Sequence, residues 1–191
     1  LDLVDAQDIE PATRERVTQT RYGSGTFRMN VALDQLPEFT ALPGAGDHLS
    51  SGIIIAPTLD YMANAYFDAR RHGWSQSPVV EMLIPSTLDD SLAPPGKHVA
   101  SLFCQHVSPD TPAEQRDTIA ALMINTVDKY APGFADSVLG YTAMTPRDLE
   151  QRFGLTNGDI FHGALSLNQL FSARPLLGYG DYRMPVDGLY L

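Results

Sequence analysis

In the run Phe27-Arg28-Met29-Asn30-Val31-Ala32-Leu33, apolar residues hold positions 27, 29, 31 and 33. A period of two puts that set on one face of a strand, so the run predicts a half-buried strand. Gly52-Ile53-Ile54-Ile55, stopped at Pro57, predicts a short buried strand, and Val79 to Ile84, bounded by Pro78 and Pro85, predicts another. His98 to Val107 is apolar on both parities in its middle, which predicts a strand buried on both faces. Ser137 to Met144 predicts a fifth strand.

Helical spacing appears between these runs. Thr58 is a candidate N-cap, and Leu59, Met62, Ala63, Tyr66 and Phe67 fall at the three-four spacing that lines one helical face. Arg70, Arg71 and His72 suit the negative end of that helix, and Gly73 ends it. Thr111-Pro112-Ala113-Glu114 reads as N-cap Thr, first-position Pro and third-position Glu, with Ile119, Leu122, Met123, Val127 and Tyr130 continuing one face to Pro132-Gly133. Thr145-Pro146-Arg147-Asp148 opens a short helix by the same logic, ending at Gly154. Ala12 to Gln19, after Glu10-Pro11, predicts a short helix that Tyr22-Gly23-Ser24-Gly25 breaks. From Asn157 the period is lost, leaving irregular chain with one helical turn around Leu167 to Phe171.

The resulting order, β-β-α-β-β-α-β-α plus a tail, pairs strands with no helix between them. That argues against an all-parallel sheet and for an α+β fold, a mostly antiparallel mixed sheet with helices packed on one face. The texture divides the chain into a linker or short helix over 1–26, a core over 27–156 and a closing segment over 157–191. The chain opens on Leu1-Asp2-Leu3 and closes on the strand-like Gly188-Leu189-Tyr190-Leu191, ends that suggest a piece of a longer protein.

At 191 residues and 43% hydrophobic, the chain is long and apolar enough for one self-sufficient core. Thirteen Lys and Arg against 23 Asp and Glu leave a net charge of −10, which repels phosphate backbones and anionic lipid. Nucleic-acid and membrane-surface roles are therefore disfavoured. No apolar run reaches the roughly 20 residues of a membrane-spanning helix, and no secretory signal opens the sequence, so a cytoplasmic location is expected.

Phosphate-cradling motifs fail on inspection. Gly23-x-Gly25, Gly44-x-Gly46 and Gly178-x-Gly180 lack the third glycine, where Arg28, Leu49 and Arg183 stand. No metal-ligand spacing exists among His48, His72, His98, His106 and His162, and His98 lies about 26 Å from His106 along one strand. Cys104 has no second cysteine to pair with and reads as a small core residue, and His106 as a satisfied strand histidine. The segment Asn157 to Pro175 sets His162, Asn168, Gln169 and Arg174 among apolar residues without amphipathic order. Such polar groups need partners, which ordinary packing or a ligand would supply.

One set of motifs is specific when taken together. Gly158-Asp-Ile-Phe-His162-Gly-Ala-Leu-Ser-Leu-Asn-Gln-Leu170, then Arg174-Pro175, then Gly188-Leu-Tyr-Leu191, resembles the late region of the phytoene desaturase-like FAD-dependent oxidoreductases, in particular the phytoene dehydrogenase-related branch. Pro85-Ser86-Thr87-Leu88-Asp89, Leu92-Ala-Pro-Pro-Gly96 with His98-Val99, and Tyr130-Ala-Pro-Gly-Phe134 share the resemblance, which spans about Phe27 to Leu191.

The resemblance implies a substrate-binding domain whose FAD-binding domain lies elsewhere in the protein. It implies FAD as cofactor of the intact enzyme, not held by these residues alone, and a hydrophobic small-molecule substrate. In this reading His162, Asn168, Gln169 and Arg174 line the interface with flavin and substrate, with pairing to a carboxylate as the competing role of Arg174. No residue is assigned as catalytic acid or base. The apolar face that meets the FAD domain also predicts self-association. Two other classes compete: a free-standing binding or protein-interaction domain without redox chemistry, and a cofactor-free hydrolase, which the missing G-x-S-x-G motif disfavours.

Overall fold

The computed structural model describes residues 4–23 and 25–190. Residues 1–3, 24 and 191, on which the readings of the chain ends and of the 22–25 break partly rest, lie outside the described set. The chain divides into two compact units, one running from residue 25 to 158 and the other combining the residues up to 24 with those from 159 onward.

The smaller unit carries helix α1 (Pro11–Thr18) near one end of the chain. In the larger unit, β1 (Phe27–Leu33), β2 (Ile53–Ile55), β3 (Trp74–Leu83), β4 (His98–Val107) and β5 (Val138–Met144) form one sheet in the order β2-β3-β4-β1-β5. Every neighbouring pair is antiparallel. Helices α2 (Leu59–His72), α3 (Arg116–Asp128), the single turn α4 (Phe134–Ser137) and α5 (Pro146–Phe153) complete it. The fold is α+β, as the strand-strand adjacencies in the sequence predict.

Register turns the alternation of β1 into a core. Met29 sits opposite Leu102, which sits opposite Met82, and Phe27 opposite Cys104, which sits opposite Val80. All six side chains are buried, and Ile119, Met123 and Val127 of α3 belong to the same cluster. Each such full burial of a large apolar side chain is worth about 1.5–3 kcal/mol. The other parity of β1 leaves Asn30 and Ala32 exposed. On β4, Ala100, Leu102 and Cys104 are buried while Ser101, Phe103 and Gln105 are half-covered, so that strand is fully buried on one face, not two.

Three local readings are corrected. β3 begins at Trp74, ahead of Pro78, because the β3–β4 ladder is irregular between Trp74 and Val79, where a proline without an N–H is tolerated. Thr111 does not cap α3. Its amide closes a turn onto the Ser108 carbonyl at 3.0 Å, its hydroxyl is buried without a hydrogen-bond partner among the described residues, and a 3-10 turn over Ala113–Gln115 precedes the helix at Arg116. The Gly188–Leu191 run forms no strand among its described residues. Tyr190 makes an isolated bridge with Arg183 across a turn containing Gly188 at φ 80°.

Helix α2 is capped as its sequence indicates: the Thr58 hydroxyl accepts from the Tyr61 amide at 3.0 Å, and Gly73, at φ 91°, donates to the Ala69 carbonyl. Its buried residues, however, are Ala65 and Ala69, while Leu59, Met62, Tyr66 and Phe67 are exposed. Small residues let the helix lie close along β3, where the Tyr61 hydroxyl donates to the Pro78 carbonyl. Burial first, and the neighbouring Tyr130 second, push the Tyr61 phenol up to about 12. Among the described residues, no helix is long and apolar enough to cross a membrane.

Candidate functional site

The smaller unit gathers its loops around two polar side chains. Asp159 is buried, and its carboxylate accepts from the Gly23 amide at 3.3 Å and the Phe161 amide at 2.9 Å. An Asp accepting from the amide two residues on is the local turn its short side chain favours. Gln169 grips residue 21 from both sides: Oε1 accepts from the Arg21 amide at 2.8 Å and Nε2 donates to the Arg21 carbonyl at 3.0 Å. Nε2 also donates to the Ala164 carbonyl at 3.2 Å. These bonds tie 159–170 to residues 21 and 23, and the helical turn expected around Leu167 to Phe171 is present as 3-10 turns over Leu167–Gln169 and Phe171–Ala173.

Within this frame lies a pocket of about 500 Å³ lined by His162, Phe171, Arg174, Pro175, Gly180 and Tyr182. Three of its six residues are non-glycine residues in the left-handed region: His162 at φ 55°, Phe171 at 50° and Tyr182 at 70°. Such conformations cost on the order of 1–3 kcal/mol each and gather at functional sites. The glycine at 180 serves close approach, since a Cβ there would stand 3.2 Å from the Ser172 Cα.

Arg174 is half-buried and donates through Nη2 to the carbonyls of Phe161 and His162. No carboxylate pairs with it among the described residues, which corrects the expected ion pair. Backbone carbonyls brought close by the 159–162 turn take the place of an acid. Nε and Nη1 make no hydrogen bond among the described residues.

Of the four sequence candidates, the structure brings His162 and Arg174 to the pocket and leaves two outside its lining. Gln169 is engaged with Arg21 and Ala164, and Asn168 accepts from the Ser166 hydroxyl at 2.7 Å. Phe171 and Tyr182 are the functional-looking residues that sequence reasoning missed. Their only signal is that aromatic residues stand in a stretch with no core period to claim them.

The other chemistry-bearing groups are accounted for by packing. Cys104 is fully buried in the sheet core, and burial pushes its thiol far up, away from the reactive thiolate. Burial lowers the His106 pKa and so favours the neutral ring, which packs edge-on against Tyr66 with centroids 5.4 Å apart. No group of three or more metal-ligating side chains exists among the described residues. None of the G-x-G runs opens an α-helix: Gly25 leads into β1, Gly46 into a 3-10 turn and Gly180 into irregular chain. A second cavity, of about 600 Å³, lies in the larger unit, with Leu42, Ile53, Ile55, Tyr130 and His48 in its lining.

No protein-family model matches the chain. Curated proteins do match it, among them two named pyridine nucleotide-disulfide oxidoreductase domain-containing protein 2. That of Rattus norvegicus is 42% identical over 204 aligned positions and that of Mus musculus 41%, each alignment taking in the whole of this chain and 35% of the relative. The chain thus spans about a third of the length of the curated relatives it matches, and it is similar to them from end to end.

Proposed function

We propose that this chain is the substrate-binding part of a longer FAD-dependent oxidoreductase of the phytoene dehydrogenase-like kind, oxidising or desaturating a hydrophobic substrate. The observation that carries the reading is its end-to-end identity of 42% with a stretch of a protein named as an oxidoreductase domain protein. The flavin, when bound, accepts hydride from the substrate, and the polypeptide supplies binding and orientation.

In this reading the pocket is the meeting place of substrate and cofactor ring. Arg174 presents a cation, and His162, Phe171 and Tyr182 present planar walls, a set that fits the ring end of a flavin or a flat substrate. It does not fit the pyrophosphate, which this reading assigns to the flavin domain outside the 191-residue chain, because among the described residues no G-x-G run opens an α-helix. Gln169 and Asn168 act as positioning residues. The flavin domain of the same protein and a hydrophobic small molecule are the partners, the outward apolar stripe of α2 serves association, and the location is cytoplasmic.

A binding domain without redox chemistry is the second reading, favoured by a pocket lined wholly from within one unit of this chain. The native-length protein, purified from its source, separates the two. A flavin absorbance band is expected, and a colourless protein overturns the redox reading. The 191-residue chain alone is expected to bind FAD more weakly than micromolar, and tighter binding would overturn the assignment of the pyrophosphate to other residues.

A further inference from the structure

The smaller unit presents an uncommon combination for a chain with ten more acidic than basic residues. Its pocket holds a half-buried arginine that no carboxylate neutralises among the described residues. Asp181, the nearest acid in sequence, is directed to Arg183 at 3.7 Å. A guanidinium withdrawn from water keeps its charge and seeks an anionic acceptor. Among the described residues Nη2 alone is engaged, with the Phe161 and His162 carbonyls, which leaves Nε and Nη1 to donate.

The walls define the rest of the ligand. Phe171 and Tyr182 are 85% and 73% exposed, rings that the unit does not use to build its own core. Both stand at left-handed backbone, at φ 50° and 70°. Pro175 adds a flat apolar surface beside Arg174. One positive charge against aromatic and proline faces suits a singly charged, flat, apolar anion. A phosphate group, doubly charged and strongly hydrated, would find one cation and few donors here.

We propose that this pocket is a binding site for planar aromatic or conjugated carboxylates, with Arg174 donating one charge-assisted hydrogen bond to the carboxylate, from Nε or from Nη1, and the ring lying against Phe171 and Tyr182. The site narrows a hydrophobic ligand to a hydrophobic acid. It depends on the redox reading only in calling that acid a substrate. The titration below can therefore fail while a flavin band stands, and can succeed in a protein that carries no flavin.

The test uses the 191-residue chain, with benzoate as probe and benzamide as its neutral isostere, followed by amide NMR shifts at neutral pH. Benzoate is expected to shift the amides of His162, Phe171 and Tyr182 and to bind about tenfold more tightly than benzamide, the worth of one charge-assisted hydrogen bond. Arg174→Gln is expected to make the two probes equal, and Arg174→Lys to keep part of the preference. Absent binding, equal affinities in the native chain, shifts confined to other residues, or a preference that survives Arg174→Gln overturns the proposal. Where Arg174→Gln disturbs the loops that its side chain holds, Phe171→Ala and Tyr182→Ala decide. Each removes an exposed ring and is expected to weaken benzoate about threefold or more, and unchanged affinity in both counts against the site.

Discussion

The guanidinium of Arg116 meets the carboxylate of Asp148 through Nε and Nη2 at 2.8–3.2 Å. That carboxylate also accepts from the amide and hydroxyl of Thr145, at 2.8 and 2.7 Å, closing the capping box of α5. One side chain therefore starts α5 and ties it to the first residue of α3.

This double engagement sets a pH dependence. Burial raises the Asp148 pKa, but the Thr145 hydroxyl and amide and the Arg116 guanidinium outweigh it, so the carboxyl sits below its ordinary value. A carboxyl depressed in the folded state stabilises fully above its unfolded pKa of about 3.9 and loses that contribution as pH falls through the folded value. Asp148→Asn is expected to lower stability by about 1–2 kcal/mol at pH 7, with the difference shrinking below about pH 4. Thermal unfolding of both chains across pH checks it, and a difference independent of pH would contradict the assignment.

His48 offers the opposite experiment. Its Nε2 is buried without a hydrogen-bond partner among the described residues, beside the 600 Å³ cavity of the larger unit. An unsatisfied buried polar atom costs about 1–3 kcal/mol, so His48→Phe is expected to raise stability by about 1 kcal/mol and Tm by about 2–4 °C. A lowered Tm would mean that the imidazole is held by something the cavity geometry hides.

Cys104 is expected to be silent toward thiol reagents while the chain is folded. With the thiol fully buried, modification must wait for opening. Labelling in native buffer should run at least about a thousandfold slower than in denaturant, matching the rarity of unfolded molecules. Comparable rates would place the sulfur at a surface.

Gln169→Ala should loosen the smaller unit locally. The Arg21 amide loses its acceptor, and the Arg21 and Ala164 carbonyls lose the Gln169 donor. Amide exchange is expected to quicken at residue 21 while the Met29 and Leu102 amides of the sheet stay protected. Uniform exchange before and after substitution would remove Gln169 from its positioning role.

Much of the sheet was legible because alternation and burial are the same fact in a strand such as β1. Phe27, Met29, Val31 and Leu33 had to share a face, and that face had to be covered. Capping was legible where a side chain finds its own helix, as Thr58 and Thr145 do. Thr111 shows the limit: the same letters close a turn onto the Ser108 carbonyl, and a 3-10 turn over Ala113–Gln115 stands between Thr111 and α3. The pocket was half legible. His162 and Arg174 stood out as polar residues without a period, whereas Phe171 and Tyr182 join them only through left-handed backbone, which no spacing rule encodes.

Helix α2 seats itself with two methyl groups, those of Ala65 and Ala69, and leaves Leu59, Met62, Tyr66 and Phe67 turned to water. Tyr66 also packs edge-on against His106, so folding of the larger unit leans least on what Leu59, Met62 and Phe67 carry. Recoding them as glutamate or lysine should yield the same globule with a less adhesive exterior. The apolar rim of α2 can therefore be edited separately from the core that lies beneath it.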